Sequence, residues 1–262
     1  MSDQQYLLSN QYNDSVRLNA RIQLHERFST NPRNLQHWIF EQLVIPAPYN
    51  ILELGSGPGP LWSKNLVYIP IEWQITLSDF SEGMLEDTRR NLGTERFHYA
   101  VVDAQSIPFA DNTFDAVIAN HMLYHVPDLA RAFAEVRRVL TLNGHFYAVT
   151  NGSEHLREIK QFCERAGIVL NGVLGSAGAI SFSLQNGTEQ LAPWFPHVEL
   201  RRMENNLSVT EAEPLLAFIL SCFAPGSITA DQLDTLRTMI DQELAQHGSI
   251  HITKETGLFI AS

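Results

Sequence analysis

The amino-acid sequence predicts an α/β fold, a Rossmann-like doubly wound sheet of seven mainly parallel strands with helices on both faces. Short apolar segments alternate with helical patterns between residues 51 and 150, which is typical of linked β–α–β units. The run DAVIAN at 115–120 has an uninterrupted apolar centre, as expected of a parallel strand buried on both faces. Beyond residue 150, two long extended patterns with two helices between them complete the sheet. An N-terminal helical arm precedes it.

The strands are placed by apolar or alternating runs that end at polar and turn-forming residues. The seven predicted strands are 51–54, 73–77, 97–102, 115–120, 145–150, 198–209 and 249–261. The glycine-rich loop at 171–187 leaves room for one further short strand at 180–184.

The helices are placed by apolar residues at spacings of three and four and by residues suited to capping. Helices are predicted at 15–28, 35–43, 81–92, 129–140, 153–166, 211–222 and 231–246, and a helix of about ten residues is predicted to start at Pro60. Ser81 and Thr229 are the predicted N-caps, and Asn143 with Gly144 is predicted to stop the 129–140 helix.

Composition and charge exclude several classes of protein. The net charge of −11 comes from 18 basic and 29 acidic residues, and an acidic chain repels a phosphate backbone, so no nucleic-acid partner is expected. Cys163 and Cys222 lie far apart in the chain, which favours two thiols over a disulfide scaffold. The N-terminal segment lacks the pattern of a secretory leader, and no apolar run approaches the ~20 residues of a membrane helix. We therefore expect a cytoplasmic protein without a membrane partner.

The stretch ILELGSGPGP at 51–60 carries the most chemical information. It predicts a strand, a turn with glycine at every second position, and a helix that takes Pro60 as its first residue. Dinucleotide sites use G-x-G-x-x-G, whereas this pattern is E-x-G-x-G-x-G with Glu53 two residues before the first glycine. A carboxylate there suits a ligand with an ammonium group better than a pyrophosphate. A plain strand–turn–helix corner is the alternative.

Five segments together resemble the class I S-adenosylmethionine-dependent methyltransferases, most closely the small-molecule branch of ubiquinone/menaquinone-type enzymes. They are ELGSGPG at 53–59, SD at 78–79, DAQSIPF at 103–109, DNTFDAVIANHMLYHV at 111–126 and RRVLTLNGHFY at 137–147. The resemblance implies S-adenosylmethionine as cofactor and S-adenosylhomocysteine as product. It further implies methyl transfer to an O, N or C atom of a small-molecule acceptor by in-line displacement.

The resemblance also implies a division of the chain, as one structural domain overall. Residues 1–44 would be a helical arm or lid, 45–150 the cofactor-binding core, and 151–262 the remainder of the sheet with inserted helices at the acceptor pocket. Pro60 departs from the family pattern, in which a small or polar residue is more usual, and this difference could alter how the loop opens. A homodimer stays open.

The family's cofactor roles carry over to particular positions. Gly55, Gly57 and Gly59 would line the methionine portion, with Glu53 behind it. Asp79 would bind both ribose hydroxyls, a place that an acidic residue at the end of the second strand also takes in related nucleotide folds. The remaining cofactor residues are Phe80 and Met84 beside the adenine, Asp103, Ala104 and Gln105 at its edge, Asn120 at the amino group through its backbone, and Tyr12 and Arg17 from the arm.

Each role has a structural alternative. Asp79 and Asp103 also suit turns, Phe80 and Met84 also suit the core, and Arg17 also suits a solvated helix face.

His121 and His125, just after the fourth strand, are the candidate catalytic residues. A general base is needed only if the nucleophile enters protonated. Their i, i+4 spacing would also allow a metal on one helix face, but no third ligand has a recognisable place, so no metal is predicted.

Three rival functions are considered. The first is a cofactor-binding protein of the same fold without transferase activity, which the motifs do not separate from an enzyme because they report cofactor binding rather than turnover. The position of the third glycine disfavours a dinucleotide-dependent oxidoreductase, and the acidic balance disfavours a tRNA or protein methyltransferase.

Overall fold

The computed structural model describes residues 15–43, 49–170, 174 and 181–262, and in the first helix the side chains from Ala20 onward. The strands are β1 Tyr49–Leu54, β2 Trp73–Asp79, β3 Phe97–Val101, β4 Phe114–Asn120, β5 Leu140–Asn151, β6 Val198–Val209 and β7 Ile250–Ala261. The helices are α1 Ser15–Phe28, α2 Leu35–Gln42, α3 Pro60–Ser63, α4 Glu82–Leu92, α5 Leu129–Val139, α6 Arg157–Arg165, α7 Gly187–Leu191, α8 Ala212–Ser221 and α9 Ala230–His247. Single 3-10 turns occupy Leu66–Tyr68 and Leu123–His125.

The strands form one seven-stranded sheet in the order β3-β2-β1-β4-β5-β7-β6. Strands β1 to β5 pair in parallel, and β7 pairs antiparallel to β5. This confirms the predicted seven-stranded, mainly parallel α/β sheet. The chain order reverses beside β1, and ligands in such sheets bind outside the carboxyl ends of the strands at that point.

Alternate residues of the central strands enter two different apolar clusters, so both faces of the sheet are buried. Leu52 and Val117 belong to a cluster that includes Phe133 of α5. Ile51 and Ile118 belong to the other, which includes Trp62 of α3. A parallel strand covered on both faces reads as an unbroken apolar run, which is why these strands were predictable.

The chain divides into two compact units. The sheet unit comprises residues 33–153, 181–203 and 256–262 and contains β1 to β5. The helical unit comprises residues 1–32, 154–180 and 204–255. Its own core includes Leu24, Ile159, Leu216 and Ile240, and the two cysteines are buried thiols in it. None of the helices in the described ranges has both the length and the apolar character that a membrane crossing requires.

The helix predicted from Pro60 is wrong in length. It ends at Ser63, and a separate 3-10 turn follows at Leu66–Tyr68. Asn65, 1% exposed, turns its amide inward and donates to the carbonyl oxygens of Leu61 (2.7 Å) and Gln36 (3.1 Å). This side chain satisfies a carbonyl at the helix end and so terminates a segment whose apolar pattern favours continuation.

Apart from shifts of one or two residues at other ends, the structure also differs from the sequence-based predictions at β5, at α6 and at residues 181–184. Strand β5 begins at Leu140 rather than His145, because Asn143 and Gly144 lie in an irregular stretch where the pairing with β4 shifts register. The helix predicted from Ser153 begins at Arg157, after a turn. Of the strand predicted at 180–184, residue 180 lies outside the described residues, and 181–184 form bends and turns.

Candidate active site

The glycine loop between β1 and α3 has the backbone that its sequence demands. Gly55, Gly57 and Gly59 have φ values of +66°, +54° and +75°, in the left-handed region that favours glycine. A Cβ on Gly59 would lie 2.7 Å from Cδ1 of Leu92, so α4 packs directly on that glycine. At Gly57 no atom of the described residues lies within 4 Å of the corresponding position, so they leave one face of its backbone open.

Both sides of Gly57 are anchored. Its N–H donates to Oδ2 of Asp79 at the end of β2, across 3.0 Å. Its carbonyl oxygen accepts the hydroxyl of Thr88 from α4. One residue earlier, the N–H of Ser56 donates to the carbonyl oxygen of Ser78 at 2.8 Å. Strand β2 and helix α4 therefore fix the loop.

Asp79 stands where the sequence placed it, next to the loop. Its Oδ1 accepts the N–H of Ser81 at 2.9 Å. Burial raises the pKa of Asp79, and hydrogen bonds from the backbone N–H groups of Ser81, Gly57 and Phe80 partly offset this by favouring the carboxylate.

Glu53 is a buried carboxyl group, only 2% exposed. Its Oε2 accepts the indole N–H of Trp62 at 2.6 Å, and its Oε1 accepts the amide of Asn120 at 2.9 Å. The pKa of Glu53 is raised to about 7, and burial is the largest cause. The two hydrogen bonds lower this pKa, and the charge of the nearby Asp79 raises it.

Asp103 and Gln105 form a joined pair beyond the end of β3. The N–H of Gln105 donates to Oδ1 of Asp103 at 2.9 Å, and its side-chain amide donates to the same atom at 3.0 Å. The N–H of Val102 donates to the carbonyl oxygen of Asp79 at 3.0 Å, which links this turn to the end of β2. Ala104, the residue between these two in the sequence, is buried, with an exposed fraction of 4%.

The two residues predicted to flank an adenine differ in exposure. Phe80 is 42% exposed and available to a ligand, whereas Met84 is 5% exposed and lies within α4. The carboxyl ends of β1, β2 and β3 thus bring together an open glycine backbone, three carboxyl groups and one exposed aromatic ring.

Comparison with known proteins shows what the segment that forms this edge of the sheet resembles. A family model described as a methyltransferase domain matches residues 52–148. This stretch is a methyltransferase domain. The resemblance that its motifs carry is confirmed for these residues.

Two similar curated proteins are named as methyltransferases. The malonyl-[acyl-carrier protein] O-methyltransferase of Legionella pneumophila is 34% identical over 139 residues, covering 52% of this chain and 49% of that protein. The ubiquinone/menaquinone biosynthesis C-methyltransferase UbiE of Desulfotalea psychrophila is 31% identical over 146 residues, covering 55% of this chain and 59% of that protein. The chain spans about half the length of these relatives.

Among solved structures, a similar one is a Haemonchus contortus phosphoethanolamine N-methyltransferase 2, in complex with phosphomonomethylethanolamine and S-adenosylhomocysteine. It aligns with a TM-score of 0.60 and 17% identity, covering 100% of this chain and 60% of that chain. At this identity the likeness shows a shared fold.

The end of β4 closes the methyltransferase domain's site on another side. The amide of Asn120 is oriented by Glu53, and its Oδ1 is buried with no hydrogen-bond partner in the part of the chain described. His121 follows with φ +52°, a strained backbone for a residue with a side chain, and its N–H donates to the carbonyl oxygen of Val149 at 2.9 Å.

His121 and His125 do not lie on one helix face, the arrangement that a metal shared between them would require. His121 has a left-handed backbone, and the 3-10 turn begins only at Leu123 and ends at His125. The ring of His125 packs edge-on against that of Tyr124, with centroids 4.5 Å apart. Within the described ranges, no group of three or more His, Cys, Asp or Glu side chains is placed to hold a metal ion.

Sequence reasoning missed residues that shape the methyltransferase domain's site from behind. Trp62 and Thr88 hold Glu53 and Gly57, and Met122 packs so closely on Gly55 that a Cβ there would lie 2.8 Å from its own. The buried hydroxyl of Ser56 has no hydrogen-bond partner among the described residues. The only signal for Trp62 was a buried-type aromatic residue one helical turn after the glycine loop.

The structure does not test the two arm residues, and it places two aromatic residues near 182–195 in the core. Tyr12 lies outside the described residues, as does the side chain of Arg17. Phe182 and Phe195 are 0% and 1% exposed and belong to the apolar core of the sheet unit.

Proposed function

We propose that this chain binds S-adenosylmethionine at the carboxyl ends of β1, β2 and β3 and transfers its methyl group to an O, N or C atom of a small-molecule acceptor. The observation that carries the proposal is the pairing of an open glycine backbone at Gly57 with the carboxyl group of Asp79, which hydrogen-bonds that same residue. Methyltransferase-domain membership of residues 52–148 supports it.

The residues present fit this cofactor. Its methionine portion carries an ammonium group, and the loop offers buried acceptors for one: the Glu53 carboxyl group and the unpartnered Oδ1 of Asn120. The open face of Gly57 gives the chain's backbone close access to a ligand without an intervening Cβ. Gly55 and Gly59 are already packed against Met122 and Leu92, so their role is to let the loop close.

Asp79 would receive the ribose hydroxyls. A carboxylate has about four lone-pair positions, and the backbone N–H groups that the structure gives Asp79 leave acceptor capacity on it. Asp103, steadied by Gln105, would accept from the adenine amino group, with Ala104 beneath it. Phe80 would cover one adenine face, and Met84 would contribute apolar packing behind it.

Methyl transfer from a sulfonium requires the protein to orient the two reactants more than to supply reactive groups. When bound, the cofactor supplies a methyl group on a sulfonium, which bonds to the acceptor's electron pair while the carbon–sulfur pair remains on sulfur and leaves S-adenosylhomocysteine. Orienting the two reactants can contribute much of the rate. His121 and His125 would take a proton from an acceptor that enters protonated. Tyr12 and Arg17 remain proposed arm residues over the cofactor.

The acceptor atom does not follow from the relatives. Their names specify an O-methyltransferase, a C-methyltransferase and an N-methyltransferase. Methyltransferase domains occur with all three kinds of acceptor atom, so neither the fold nor the carboxyl ends of β1 to β3 identify the acceptor. We expect the loops around these strand ends to determine which acceptor is used.

Mass spectrometry of the purified full-length chain for a co-purifying adenosyl compound is the first test. Calorimetric titrations with S-adenosylmethionine, S-adenosylhomocysteine and NAD follow, and then a small-molecule library is screened for S-adenosylhomocysteine production. Binding of the first two ligands and turnover with an acceptor are expected. Preference for NAD would overturn the proposal. Binding without turnover across the library would favour a cofactor-binding protein of the same fold.

A further inference from the structure

Trp62 occupies an unusual place for a fully buried tryptophan. It lies in α3, three residues after the last glycine of the loop, and is 0% exposed. Its ring is held by two other aromatic rings, Phe40 at 6.4 Å in an edge-on arrangement and Phe97 at 6.3 Å. The indole is therefore fixed in the core of the sheet unit, with its N–H directed at a carboxyl group.

Each oxygen of that carboxyl group has one neutral donor. The Trp62 indole N–H donates to Oε2 of Glu53 at 2.6 Å, and the Asn120 amide donates to Oε1 at 2.9 Å. The Ser78 hydroxyl donates to the Glu53 carbonyl oxygen at 2.7 Å and fixes the backbone. Hydrogen bonds to an ionised group are shorter and stronger than those between neutral groups, so both donors favour the carboxylate.

Burial acts in the opposite direction. It raises the pKa of Glu53 to about 7, and the Asp79 carboxyl group at the end of β2 adds to this; α3 and β4 contribute the neutral donors Trp62 and Asn120. The charged and neutral forms are therefore close in free energy near neutral pH. Removing one donor will change which of them predominates.

We propose that Trp62 is a positioning residue for Glu53: its indole N–H favours the charged form of the buried carboxyl group and orients it to receive the ammonium group of the cofactor. The part concerning the cofactor rests on the proposed function. The part concerning Glu53 stands on the two hydrogen bonds and is testable without a ligand.

The ligand-free test follows the Glu53 carboxyl carbon by NMR in protein labelled at the glutamate δ-carbon, with Glu53→Gln identifying the resonance. His121 is adjacent in sequence to Asn120, which donates to Glu53. Observing the Glu53 carboxyl carbon directly therefore keeps the titration of Glu53 distinct from that of any neighbouring group. The titration midpoint is expected near pH 7 in the parent chain and higher by about 1–2 pH units in Trp62→Phe.

Trp73→Phe is the matched control. Trp73 is a buried tryptophan of the same apolar cluster, 7% exposed, and its indole N–H has no hydrogen-bond partner in the part of the chain described. Its replacement should leave the Glu53 midpoint in place. If Trp62→Phe does not fold, benzothienylalanine at position 62 takes its place, because sulfur replaces the N–H at nearly constant shape.

The second measurement is the affinity for S-adenosylmethionine by calorimetry between pH 6 and 9. Affinity should rise with pH as Glu53 ionises. In Trp62→Phe this rise should move upward by the same interval as the NMR midpoint, so that its loss of affinity relative to the parent chain becomes smaller toward pH 9. The Glu53→Gln profile supplies the pH dependence of the ligand's own groups.

An unmoved NMR midpoint in Trp62→Phe, or an affinity lowered equally at every pH, would mean a purely structural tryptophan and overturn the proposal. A displaced midpoint in a chain that binds no S-adenosylmethionine at any pH would instead overturn the cofactor role and the proposed function together.

Discussion

The N–H of Gly57 donates to Oδ2 of Asp79 across 3.0 Å, so the most open residue of the glycine loop is tied to the carboxyl end of the neighbouring strand. Strands β1 and β2 are parallel neighbours, with Leu54 opposite Ser78. That register places residues just beyond the two strand ends side by side. One carboxyl group can therefore position the loop and bind a ligand lying along it.

Asp79→Asn should weaken S-adenosylmethionine binding by about 1–3 kcal/mol, because charge-assisted hydrogen bonds to the ribose would be lost. Calorimetry at pH 8 measures the change. Asp111→Asn is the control, since Asp111 is an exposed carboxylate paired with Arg138. Equal affinity in the two variants would remove Asp79 from the ribose site.

Gly57→Ala should cost roughly 1–2 kcal/mol of stability, because an alanine would take a left-handed backbone, and should also weaken cofactor binding at least tenfold by filling the open face. Gly248→Ala is matched to it. Gly248 has a left-handed backbone with φ +74°, no atom of the described residues lies within 4 Å of a Cβ there, and it caps α9. Thermal midpoints should fall alike in both variants, with binding lost only at position 57. Parent-like binding in Gly57→Ala would contradict close ligand approach.

Thr88→Val should lower stability by roughly 1 kcal/mol and loosen the loop, because the Gly57 carbonyl loses its donor from α4. Thr88 also donates to the carbonyl of Met84, four residues earlier, and exposed Thr238 makes the same helix-internal bond to Asp234. Thr238→Val therefore removes that bond alone. Denaturation curves and cofactor titrations of both variants separate the two effects, and a cofactor affinity unchanged by Thr88→Val would exclude the loop contact.

Glu53 should make the free chain less stable as pH rises. Its pKa is raised from 4.5 to about 7 in the fold, so between these values the folded chain keeps a proton that the unfolded chain has released. The free energy of unfolding should fall by up to about 3 kcal/mol across this window and then level off.

Glu53→Gln should remove that slope and raise the thermal midpoint at pH 8, while exposed Glu72→Gln leaves both unchanged. Thermal melts at pH 5 and pH 8 provide the comparison. A parent-like slope in Glu53→Gln would assign the pH dependence to other groups.

Local patterns were sufficient where a segment's own side chains decide its conformation. The predictions for the helix at 15–28 and the strand at 198–209 match the structure end to end, and Ser81 and Thr229 cap the helices that follow them. Helix α3 was overestimated because Asn65 ends it through carbonyl groups of two different helices, and spacing does not reveal such a contact.

The same distinction applies to the site. Asp79 is the last residue of β2 and Asp103 lies two residues beyond β3, so the rule on strand ends found them. Trp62 was missed because its indole meets Glu53 only once β1 and α3 are folded together, nine residues apart in sequence. The i, i+4 spacing of the two histidines does not place them on one helix face, because a left-handed backbone at His121 interrupts the helical geometry.

Helix α3, which follows the glycine loop, ends after four residues. A helix attracts anions through the summed dipoles of its peptide groups, and a single turn sums few of them. A phosphate group arriving at this turn would find little positive potential and would face the carboxyl groups of Glu53 and Asp79 instead. We therefore expect the loop to discriminate against abundant cellular nucleotides such as ATP and NAD, so that the chain remains available to a scarcer, cationic nucleoside.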